Sequence, residues 1–298
     1  MKAILYTMIA LITFAANSLF CRIALTEKYI DPWNFTIIRL SSAAFCLAII
    51  MIIRRYFLKH RNTTCHQTMD SRHLQDKGSW LSSLCLFIYA LCFSLAYVEL
   101  DTGTGALILF SAVQLTMIVW GIYNKERLSN LQWLAFIVAG IGFIYLTLPS
   151  ATMPSSWGAM LMFISGVAWG IYSIRGKACL SPLHATGFNF LRSLAAVPIL
   201  LLLGFSELKN ISVDGVLLAC ASGAIASAMG YSIWYMAMLQ LKSTNAAVVQ
   251  LCVPILAALA GMIFLSEPLT VRFMVASAVI LGAVLVFLLN KNQINLKV

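Results

Sequence analysis

Two arginines lie inside long apolar runs, where a charge is costly unless it has a partner or a task. Arg39 sits about seven residues into the run 33–53, and Arg192 near the middle of the run 183–203. A guanidinium at such a depth can hold a carboxylate or phosphate in a dry cavity through its planar fork of donors. The competing reading is that Arg39 snorkels outward, or that either residue donates to helix-end carbonyls. Uncharged groups add to the set. Pro254 has no N–H, so the carbonyl of Gln250 loses its helical donor, and the Gln250 amide lies at the same point of the chain. Pro198 does the same to the carbonyl of Leu194, beside Arg192. The two prolines are hinge or kink candidates, tolerated at membrane depth where freed groups face protein or a water-filled cavity. Gln114 and Asn17 are the comparable polar residues of the first half.

Aromatic residues share faces with these groups. Tyr231, Trp234, Tyr235 and Met238 recur at helical spacing, as do Tyr89, Phe93 and Tyr97, and Trp169 and Tyr172 flank the small pair Gly166 and Gly170. Such rings line cavities, pack, or anchor at headgroups, and anchoring suits Trp234 and Tyr235 at their helix end. The candidate substrate contacts are therefore Asn17, Arg39, Tyr97, Gln114, Trp169, Tyr172, Arg192, Tyr231 and Gln250. Every one of the ten carboxylates falls in a loop or at a helix end, which disfavours a proton relay through a central acid. Glu99 and Asp101 remain the peripheral candidates, and exchange or facilitated movement is expected. Cysteine and histidine spacings match no metal pattern, so no metal, cofactor or catalytic residue is assigned.

The elements that must position these residues are hydrophobic almost end to end. Apolar residues make up 61% of the 298-residue chain and charged ones 10%, outside the range of a soluble domain. Ten runs of membrane-spanning length are legible: 3–21, 33–53, 80–98, 103–123, 131–148, 156–174, 183–203, 215–238, 243–265 and 270–289. They are continuous, not alternating, so the predicted class is all-α and polytopic. The first run reads as a retained span because no small-residue cleavage site follows it.

The second half repeats the first. Ala106, Ile122, Glu126 and Leu128 align without a gap with Ala247, Ile263, Glu267 and Leu269, and Asn17 and Ile12 align with Trp169 and Ile164. Residues 1–148 and 149–298 are thus expected to be five-helix repeats of one membrane domain. An odd number of spans per repeat turns the second upside down relative to the first, the architecture of alternating-access transporters. With the N-terminus cytoplasmic, fourteen lysines and arginines fall on the cytoplasmic side and four, Arg22, Lys28, Lys209 and Arg272, outside, which places both termini on the cytoplasmic side of the inner membrane. The basic 54–79 segment is then a topogenic loop beside anionic lipid, and nucleic acid is not an expected partner.

The run Gly103-Thr104-Gly105-Ala106-Leu107 ending in Glu126-Arg127-Leu128, the run Ala246-Ala247-Val248-Val249-Gln250-Leu251-x-Val253-Pro254 ending in Glu267-Pro268-Leu269, and Gly166-Val167-Ala168-Trp169-Gly170-x-Tyr172 resemble the drug/metabolite transporter (DMT) superfamily, EamA type. The resemblance covers nearly the whole chain. It implies a basket of helices around a central cavity and members that export amino acids and other small metabolites. The chain departs from it at Gln114, where many members carry a proline. The expected function is export of a small polar or amphipathic metabolite, amino-acid-like, by alternating access. The rivals are a membrane-embedded enzyme acting on a lipid-linked substrate, for which no converging nucleophile or acid–base pair is legible, and a non-transporting receptor.

Overall fold

The computed structural model describes residues 2–62, 77–124, 128–147, 155–176, 181–238 and 250–294. Regular structure within them is helical throughout. The first half supplies α1 (Lys2–Thr26), α2 (Pro32–Asn62), α3 (Trp80–Ala96), α4 (Thr102–Tyr123) and α5 (Asn130–Thr147). The second supplies α6 (Ser156–Gly176); α7 (Pro182–Ser193), which runs through the turn Leu194–Ala196 into α8 (Val197–Leu203); α9 (Val213–Cys220), joined by the π-helical Ala221–Met229 to α10 (Gly230–Met238); α11 (Cys252–Leu265); and α12 (Val271–Ile294). Six of the described helical stretches are long and apolar enough to cross a membrane, and four shorter apolar helices accompany them. Large apolar side chains such as Phe45, Ile52, Leu202, Leu217 and Ile263 point outward, the lipid-facing surface of a chain whose polar groups turn inward.

Three expected spans depart from a continuous α-helix. Between α7 and α8 the chain tightens into a 3-10 turn, and the Leu194 carbonyl that Pro198 cannot serve accepts the Val197 N–H instead. That carbonyl is therefore not left free, contrary to the sequence expectation. The ninth span breaks at Leu251, between the helical Gln250 and α11, which places Pro254 in the first turn of α11, where a missing N–H does no harm. The eighth span widens over nine residues into a π helix, a form that is rare and concentrated at functional sites. Its sequence, Ala-Ser-Gly-Ala-Ile-Ala-Ser-Ala-Met, has the small side chains that let another helix approach.

The packing scheme is preserved when the halves are exchanged. α3 lies on α6 as α1 lies on the α9–α10 span, α4 lies on α6 as α1 lies on α11, and α7 lies on α3 as α2 lies on the π segment. α4 with α11, α5 with α12 and α2 with α7 are the self-matched pairs. Small residues set the closest approaches. A side chain at Gly166 would meet the Leu109 carbonyl, and one at Gly223 would overlap the Arg39 carbonyl and Ser42 Oγ.

Candidate functional site

The centre of the bundle is built around the phenol of Tyr89. Its backbone is fixed where Ser165 Oγ of α6 donates to the Tyr89 carbonyl (2.9 Å). Three side chains from three elements then reach its hydroxyl. Arg39 Nη2 donates to Tyr89 Oη at 3.0 Å, Asn17 Nδ2 at 3.3 Å, and Tyr231 Oη at 3.5 Å, the limit of a hydrogen bond. Asn17 is oriented in turn by Ser222 Oγ of the π segment, which donates to its Oδ1 at 2.6 Å. The chain from Ser222 through Asn17 to Tyr89 crosses between the two halves.

Arg39 is the largest fully buried side chain of the described residues. Its guanidinium stacks over Phe93 at 4.7 Å and Tyr89 at 5.1 Å from the ring centroids. No described carboxylate pairs with it, and its Nη1 is buried without a hydrogen-bond partner. Two cation–π contacts contribute about 0.5–2 kcal/mol each, and one charge-assisted hydrogen bond about 1.5–3. Removing a cation from water costs several kcal/mol even after relaxation. The protein's own groups thus bring Arg39 close to break-even and leave Nη1 unused.

Aromatic rings close the other side. Trp169 of α6 lies 4.8 Å from both Tyr89 and Tyr231 and stacks on Tyr172 at 5.4 Å. Tyr172 donates to Thr186 Oγ1 of α7 at 3.1 Å, and Phe14 meets Tyr231 and Trp234 edge to face. The arrangement offers a cationic donor at one edge and an apolar, polarisable wall at the other.

Of the sequence candidates, Asn17, Arg39, Trp169, Tyr172 and Tyr231 converge here. Tyr97 stands one ring away: it packs edge to face on Phe93 (4.7 Å), and its hydroxyl donates to the Thr102 carbonyl (3.3 Å). Gln114 is buried on α4 with its Nε2 unpartnered, apart from the cluster's hydrogen bonds. Gln250 is half-buried at the break before α11. Arg192 is not in the centre. It donates to the backbone carbonyl of Lys77 and lies over the exposed Trp80 ring (5.6 Å), at the end of the bundle where α3 begins. Its side chain leans back along α7 toward the N-terminus, as helical side chains do. The Tyr235 and Met238 side chains and Glu126 lie outside the described residues.

Sequence reasoning did not select Tyr89, Phe93 or Ser222 as contacts. The recurrence of Tyr89, Phe93 and Tyr97 along one face was the available signal for the first two; Ser222 carried none beyond being a small polar residue in a span.

An uncharacterised protein of Pseudomonas aeruginosa is 42% identical over 289 residues, spanning 96% of this chain and 94% of its own. Residues 156–289 match the EamA-like transporter family. The chain belongs to that family. An uncharacterised transporter of Archaeoglobus fulgidus is 26% identical over 89% of this chain and 90% of its own. The threonine/homoserine exporter RhtA of Escherichia coli is 27% identical over 54% of this chain and 55% of its own. A solved crystal structure superposes with a TM-score of 0.65 over 97% of both chains at 15% identity, a likeness of fold alone. This EamA-like protein is accordingly a multi-pass membrane transporter of the drug/metabolite superfamily and not an enzyme. The central cluster is the place in it where buried polar groups of the two halves meet.

Proposed function

We propose that this transporter exports a small metabolite bearing a carboxylate, an amino acid or a close analogue, by alternating access through the Arg39–Tyr89 centre. The observation that carries the reading is the fully buried guanidinium of Arg39 with Nη1 unpartnered and no carboxylate of the described residues paired with it. A solute carboxylate would take that donor and supply the missing counter-charge, and Trp169 and Tyr231 would receive the solute's apolar part. The name of the Escherichia coli relative, a threonine/homoserine exporter, agrees with the substrate class and the direction. In this reading residues 1–148 and 149–298 are inverted five-span repeats that rock about the centre. The exchange-symmetric packing supports that division.

The orientation we propose has both termini and the 54–79 segment on the cytoplasmic side of the inner membrane, following the charge bias. Labelling of Cys65, in a background without other cysteines, by an impermeant reagent applied to intact cells would contradict it.

Counterflow into proteoliposomes tests the substrate reading. Threonine, homoserine and leucine are compared with their amides and with the amino alcohols that lack the carboxylate. Uptake is expected only of the carboxylates, driven by preloaded unlabelled compound. Equal uptake of the amides and alcohols would overturn the assignment of Arg39 to a carboxylate.

A further inference from the structure

The end of the bundle that carries the α3–α4 connection is closed by one arginine. Arg22, in the last turns of α1, engages every nitrogen of its guanidinium. Nη1 donates to the carbonyls of Tyr97 (2.9 Å) and Val98 (3.1 Å), the negative end of α3. Nε donates to Glu267 Oε1 at 3.1 Å, and Nη2 lies 3.5 Å from Asp101 Oδ1. Glu267 stands just past the end of α11 and accepts the Thr102 N–H of α4 on its other oxygen at 2.8 Å. Its position is imposed by the chain. Ser266 adopts the left-handed conformation, and the Glu267 N–H returns to the Gly261 carbonyl (3.2 Å), which turns the carboxylate back over Gly261. A side chain at Gly261 would occupy the place of Oε2. Four helices, α1, α3, α4 and α11, are therefore joined by one pair of charged residues, one from each half of the chain.

Beneath this pair lies a sealed layer. Ser18, one turn inward from Arg22 on α1, is 1% exposed, and Cys21, Tyr97 and Thr102 are fully buried. Asn17 of the central cluster follows five residues inward, about 7 Å along the helix axis. No solute can pass from the centre to this end unless the four helices part. Arg22 and Glu267 themselves keep 13% and 11% of their side chains exposed.

We propose that Arg22 and Glu267 form the gate of this mouth: paired they close it, and separated they admit the medium to the centre. The inference rests on the family's transport role and not on the identity of the solute. It places a positioning function on Arg22, a residue that the sequence alone assigns to the outer surface as a mere charge.

The first readout needs no solute. In a background free of native cysteines, Ser18→Cys is labelled with an impermeant methanethiosulfonate, both in intact cells and in inside-out vesicles, so that orientation does not decide the result. Arg22→Gln and Glu267→Gln should each speed labelling about tenfold or more in one of the two preparations, because loss of the pair shifts the population toward the open mouth. Arg22→Lys should lie between, since an ammonium keeps the charge but cannot reach the carbonyls and the carboxylate together. Lys209→Gln, which removes an exposed cation without touching the pair, should leave the rate unchanged. A variant that fails to elute as a single species is replaced by Arg22→Cys with Glu267→Cys, bridged by a bifunctional thiol reagent. The bridge should abolish counterflow of labelled threonine and release it on reduction, where threonine is carried by the unbridged protein. Labelling rates within twofold of the parent for both glutamine variants, or full Ser18→Cys accessibility behind the bridge, would overturn the gate.

Discussion

Replacing Arg39 by methionine separates a binding role from a structural one, because the two roles predict opposite signs for stability. Methionine keeps an unbranched apolar stem against Phe93 and Tyr89 and removes the guanidinium. The losses are two cation–π contacts of about 0.5–2 kcal/mol each and one hydrogen bond to Tyr89 of about 1.5–3 kcal/mol. The gain is relief from holding an unpaired cation in the interior, several kcal/mol. Tyr89 Oη keeps Asn17 Nδ2 and Tyr231 Oη as partners, so the substitution does not strand it. The balance is close to zero or stabilising. We therefore expect Arg39→Met to unfold at the wild-type temperature or above it.

Affinity should move the other way. A charged hydrogen bond between Nη1 and a solute carboxylate is worth about 1.5–3 kcal/mol, equivalent to about a 10- to 150-fold rise in the apparent KM for counterflow. Lysine at the same place should recover part of the affinity, since it restores the charge without the fork. The assay pairs a thermal unfolding curve of the purified protein with counterflow of the carboxylate probes at saturating and limiting concentration. Two results refute the reasoning. Wild-type KM in a folded Arg39→Met protein would show that the free donor faces no solute. A loss of about 3–5 kcal/mol in stability, the scale of a broken buried pair, would show that Arg39 is held by the fold and not kept for a ligand.

Tyr89→Phe keeps the ring stacking and deletes the hydroxyl on which Arg39, Asn17 and Tyr231 meet; stability should fall by about 1–3 kcal/mol as buried donors lose their acceptor, and counterflow should fall with it, read from the same paired assays. Gly223→Val puts a branched side chain against the Arg39 carbonyl and Ser42 Oγ, so the π segment must move off α2; thermal stability should drop by about 1–3 kcal/mol, while Ile225→Val, at an exposed position of the same segment, should leave the unfolding temperature unchanged. Among the described residues the buried charged side chains are Arg39 and Arg272, with no carboxylate; a pH gradient imposed at zero voltage should then fail to concentrate a solute of no net charge. Concentrative uptake under that gradient, lost on neutralising Glu99 or Asp101, would move the coupling to a peripheral acid.

The spans were legible because hydropathy is a direct record of the solvent a helix meets, and ten apolar runs leave few alternatives for a chain of this length. Arg39 and Asn17 were legible for the related reason that polar groups inside such runs need a partner or a function. Depth along the chain, by contrast, does not fix where a long side chain ends. Arg192 occupies the middle of its run, yet the tilt of helical side chains carries its guanidinium to the Lys77 carbonyl. Arg22 was hidden by a different limit. A charge count tells which side of the membrane a residue favours, and its partner Glu267 lies 245 positions away, joined to it only by folding. The π segment was equally invisible, since its run of small residues specifies close approach and not a change of helical pitch.

The repeat alignment holds more chemistry than its matching letters convey. Asn17 and Trp169 align between the two halves, and in the folded protein both reach Tyr89, Asn17 through Nδ2 and Trp169 through its indole ring, 4.8 Å from the phenol ring and tilted to it. In the inverted-repeat reading proposed above, positions equivalent under exchange of the halves converge on the pseudo-twofold axis, so a site there receives one copy of each from opposite directions. Identical residues there would make a symmetric site, suited to a symmetric ligand. The divergence of one copy to an amide beside Arg39 and the other to an indole beside Tyr231 gives the centre a polar edge and an apolar wall. That polarity suits the solute class proposed above, with a carboxylate at one end and carbon at the other, and it rests on unequal residues at two equivalent positions within a helix packing that is the same when the halves are exchanged.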